Sequence, residues 1–127
     1  MPAMFATVLF PIDRSRQARE TAAVALQLVQ QHNSQLVLLS VVEPGQDDLQ
    51  EVAHLLEEAK ASFEQAGVPS QVIEREGKPA FVIGDVADEI NADVIVMGTR
   101  GIALEDDNHS TAARVIQLAP CPVLVVP

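Results

Sequence analysis

The chain has 127 residues, the size of one domain, with 48% apolar and 20% charged, a globular balance that excludes disorder. Eighteen acidic residues against eight basic ones give a net charge of −10, a field that repels phosphate backbones and anionic lipid, so general nucleic-acid and membrane-surface binding are excluded. The single cysteine, Cys121, excludes an internal disulfide framework and a cysteine-built zinc site.

Two periodicities alternate along the chain. Ala6-Thr7-Val8-Leu9-Phe10-Pro11-Ile12 is a short apolar run that stops at Asp13-Arg14-Ser15, and it reads as a strand buried on both faces. From Gln17 to Gln31 the residues Ala18, Ala22, Ala25, Leu26 and Val29 recur at three- and four-residue spacings, which predicts an amphipathic helix capped by Ser15 and ended by His32-Asn33-Ser34. Leu36 to Val42 is a second buried strand, closed by Glu43-Pro44-Gly45. Gln46 to Ala66 carries Leu49, Val52, Leu55, Leu56, Ala59 and Phe63 at helical spacing and stops at Gly67-Val68-Pro69. The polar, partly alternating Ser70 to Glu76 suits an edge strand. Gly77-Lys78-Pro79 opens a helix that runs to about Asn91 and holds Gly84 in its interior, where glycine either weakens it or allows close packing. Asp93 to Gly98 is a central strand, Thr99 to Asn108 a loop, Ser110 to Leu118 a short helix, and Pro122 to Val126 the last strand.

The order βαβαβαβαβ, with four strands lacking a polar face, implies a single domain over residues 1–127. It is an open, doubly wound parallel sheet of five strands, expected in the order 3-2-1-4-5, with helices on both faces. No apolar run approaches ~18 residues, so no membrane span is predicted. The start Met1-Pro2-Ala3-Met4-Phe5 lacks a basic region and a long apolar one, so no signal peptide is expected, and a reducing cytosol is the expected compartment.

Ligands of such sheets sit beyond the carboxyl ends of the strands, where strand order reverses. Pro11-Ile12-Asp13, Ser40-Val41-Val42 and Met97-Gly98-Thr99-Arg100-Gly101 converge there. Asp13 either accepts a hydrogen bond from a ribose hydroxyl or an adenine amino group, or only caps the first helix. Gly98 and Gly101, three apart directly after a buried strand, let backbone N–H groups turn toward an anion, and Arg100 adds a positive charge. The loop leads to His109-Ser110-Thr111 at a helix start, where free N–H groups and the helix dipole attract phosphate.

The segments Val8-Leu9-Phe10-Pro11-Ile12-Asp13, Leu39-Ser40-Val41-Val42-Glu43-Pro44, Gly77-Lys78-Pro79, Ala92 to Gly101, and Ala119-Pro120-Cys121-Pro122-Val123-Leu124-Val125-Val126 together resemble a universal stress protein domain over nearly the whole chain. The resemblance implies a Rossmann-like fold of the adenine nucleotide alpha hydrolase type and binding of ATP or another adenine nucleotide in a stress-response or regulatory role. It further implies that Pro11, Asp13 and the backbone of Val41 hold the adenosine, and that Gly98, Arg100, Gly101, His109, Ser110 and Thr111 surround the phosphates. It also implies a homodimer through the final strand, Val123 to Val126.

The chain departs from the family pattern in the phosphate loop. His109 stands where the pattern has its third glycine, and Ile102 to Asn108 is seven residues where the pattern has nine. Histidine carries a Cβ into the phosphate approach and tolerates positive φ poorly. Glu105, Asp106 and Asp107 add three negative charges, and at ~6 Å and an effective dielectric constant of 20 each carboxylate–phosphate pair repels by about 3 kcal/mol. These acids either face solvent, or recruit a divalent cation such as Mg²⁺ that bridges to phosphate, or mark a site that no longer takes a triphosphate. The alternative function is a nucleotide-free homodimeric interaction protein. His32 and His54 lie on different helices without a paired ligand, Cys121 lacks a nearby activating cation, and no nucleophile–base–orienter set is assembled, so no enzyme is assigned.

Overall fold

A computed structural model describes residues 5–12, 18–45, 48–98 and 111–127. Its elements run β1 (Thr7–Pro11), α1 (Ala18–His32), β2 (Gln35–Val42), α2 (Leu49–Gln65), β3 (Ser70–Glu76), α3 (Pro79–Glu89), β4 (Val94–Gly98), α4 (Thr111–Leu118) and β5 (Val123–Val126). The strands form one parallel sheet in the order β3-β2-β1-β4-β5, as expected from the sequence.

The pleat divides the apolar runs between two core layers. Val8 and Phe10 of β1 face α1 and α2 with Leu36, Leu38, Val94 and Val96, where they pack on Ala25, Val29, Leu56 and Phe63. Leu9 faces the other way with Val37, Leu39, Ile95 and Met97, against Ile83, Val86 and Val115 of α3 and α4. That is why these strands carry no polar face.

Helix boundaries follow from local chemistry. The helix predicted from Gln46 begins instead at Leu49, because Asp48 holds extended backbone and its carboxylate accepts the Gln50 N–H at 2.9 Å. The first three helices end alike. Asn33, Gly67 and Asn91 take positive φ of 53°, 83° and 53°, and the next residue donates back five positions, Ser34 to Val29, Val68 to Phe63 and Ala92 to Ala87. This closes carbonyls that the helix itself leaves unpaired. Thr7 donates its N–H to the Asp93 carboxylate at 2.8 Å, tying the amino end of β1 to the turn before β4.

The two sheet edges differ. β3 exposes Glu74, Arg75 and Glu76, and the Arg75 guanidinium grips both Glu89 oxygens of α3 at 2.9 and 3.0 Å. The ion pair raises the Arg75 pKa and lowers that of Glu89, each chiefly through the shared hydrogen bonds. β5 is apolar throughout.

Gly84 proves to be a close-packing position that still has room. A Cβ built there meets the Leu118 carbonyl oxygen at 3.8 Å, an ordinary contact. Gly84→Ala should therefore raise unfolding free energy by about 0.5–1 kcal/mol, through helix propensity and a less flexible unfolded chain, as read from urea denaturation. A loss of stability would show that α3 and α4 cannot take up the methyl group.

Candidate functional site

The connection from β1 leads to β2 on one side of the sheet, and the chain later returns from β3 to β4 on the other. Strand order thus reverses between β1 and β4, and the crevice at their carboxyl ends is the ligand position of this architecture.

Pro11 ends β1 there. The Ile12 N–H bonds the Leu39 carbonyl at 2.8 Å and the Ala6 carbonyl accepts from Gln35, so even-numbered residues of β1 aim their backbone groups at β2. Odd-numbered ones aim at β4, and at position 11 proline has no N–H to give. Pairing accordingly runs to Pro11↔Leu39 on the β2 side but stops at Leu9↔Ile95 on the β4 side. The two central strands lose their ladder where the crevice begins.

Val41 lies two residues beyond Leu39 on β2. It is half-buried on the α3–α4 face and pairs with Arg75 of β3. Gly98 is the last residue of β4, opposite Val126 and three residues past the final β1–β4 pair. Thr111 is the first residue of α4 and is buried, with Ala112 and Val115 seating the helix on the core. A crossover helix runs antiparallel to its strands, so its start lies at their carboxyl end. Pro11, Val41, Gly98 and Thr111 are thereby brought to one end of the sheet. Asp13, Arg100, Gly101, His109 and Ser110, and the acids Glu105, Asp106 and Asp107, lie outside the described residues. Lys78, read from the sequence only as part of a turn, heads α3 at this same end and brings a cation there. The Gly-Lys-Pro spacing marked the helix start but not its position relative to the sheet.

The remaining titratable candidates sit elsewhere. Cys121 is half-buried just before β5, at the amino end of the sheet, and burial followed by the Asp93 charge raises its thiol pKa. A thiol so placed is a poor nucleophile. His32 meets the Phe5 ring edge-on at 5.3 Å, and the His54 Nε2 lies 2.7 Å from Glu58 on the exposed face of α2. Among the described residues no three His, Cys, Asp or Glu side chains gather as a metal site, and no helix is long and apolar enough to cross a membrane.

Comparison with known proteins matches this geometry. Residues 4–127 fit the model of the universal stress protein family. A universal stress protein, Sll1654 of Synechocystis, is 55% identical over 136 aligned positions, which cover 98% of this chain and 87% of that one. The solved structure of a universal stress protein in complex with cAMP superposes with a TM-score of 0.81 at 21% identity, over 98% of this chain and 99% of that one. An Archaeoglobus fulgidus universal stress protein in complex with dAMP superposes with a TM-score of 0.78 at 18% identity, over 98% and 99%.

Proposed function

The chain belongs to the universal stress protein family, and from that premise we propose that it is a regulatory module that binds an adenine nucleotide across the carboxyl ends of β1, β2 and β4. The observation that carries the reading is the convergence of Pro11, Val41, Gly98 and the start of α4 at the point of strand reversal. In this reading Asp13 and the Val41 backbone take the adenosine. Gly98, Arg100, Gly101, His109, Ser110 and Thr111 take the phosphates, and Glu105, Asp106 and Asp107 hold a bridging Mg²⁺. The named cAMP and dAMP complexes of two fold neighbours support the ligand class.

A second reading keeps the fold and drops the nucleotide. It is favoured by His109 in place of a glycine and by the seven residues, Ile102 to Asn108, of the preceding loop. In both readings the chain works as a homodimer through β5.

Mass spectrometry of denatured, freshly purified protein, followed by calorimetric titration with ATP, ADP, AMP and cAMP, separates the two. The nucleotide reading expects a bound or titratable adenine nucleotide, tighter with Mg²⁺ for the polyphosphates. Asp13→Ala should weaken it by about 1–3 kcal/mol, the worth of a charge-assisted hydrogen bond. Absence of binding by all four would leave the interaction module as the function, and equal affinities for Asp13→Ala and wild type would reduce Asp13 to a helix cap.

A further inference from the structure

We draw no further inference here: the strongest candidate, the cavity between α1 and α2 over Phe10 and Phe63, has a rim that runs from Ile12 to Ala18 past residues outside the described ones, and nothing in the structure shows what covers it.

Discussion

If the chain pairs through β5 as proposed, Leu124→Lys should leave a monomer of 13.6 kDa in analytical ultracentrifugation at micromolar concentration, where the unmodified protein sediments as a dimer. β5 pairs with β4 along one side, from Ile95↔Val123 to Gly98↔Val126, and is the last strand of the sheet among the described residues. An apolar edge of this kind is a template for a further strand. β5 carries no charge, Leu124 is 39% exposed, and the neighbouring α4 exposes Ile116 and Leu118 at 55% and 48%. Pairing about a two-fold axis would set two β5 strands antiparallel and bury these side chains. A lysine at position 124 of each copy would put two ammonium groups in the seam, where like charges repel and must be desolvated. The opposite edge shows the contrasting solution, since β3 meets solvent with Glu74, Arg75 and Glu76. A monomeric mass for the unmodified protein would remove the dimer from both functional readings.

Phe63→Ala should cost about 3–5 kcal/mol of unfolding free energy, the usual range for deleting a buried phenyl ring. That is a large share of the roughly 5–15 kcal/mol by which a domain is stable. Phe63 is 4% exposed and meets Phe10 edge-to-face at 6.1 Å. Its ring is one wall of the layer between α2 and the sheet and lines a cavity of about 420 Å³ between α1 and α2, so its removal merges a new void with an existing one. β1 and β2, beneath this layer, are fixed by ladders on both sides and resist relaxing into the void. A cost below about 1.5 kcal/mol in urea denaturation would mean that α2 collapses onto the sheet and closes the cavity. A Phe10→Ala, Phe63→Ala double-mutant cycle should return a coupling of about 0.5–1.5 kcal/mol for the aromatic pair.

Much of this molecule was legible in its residues. The continuous apolar runs at Val8–Phe10, Leu36–Leu39 and Val94–Met97 required strands covered on both faces, because no water-facing side exists in a run without polar alternation. Asn33, Gly67 and Asn91 marked helix ends because few residues tolerate the left-handed turn that closes a helix. Periodicity alone starts α2 too early, at Gln46, because it does not identify which of several polar residues turns its side chain back on the backbone; Asp48 does so. Family membership was carried by motifs at the strand ends, and the comparison with known proteins bore it out. Local sequence could not show that Pro11 interrupts only the β4 side of its strand, since that depends on which neighbour each backbone group faces. Nor could it show the cavity between α1 and α2. Both helices have the same apolar period as α3, and only the spacing of elements across the sheet decides that one helical layer closes while the other stays open.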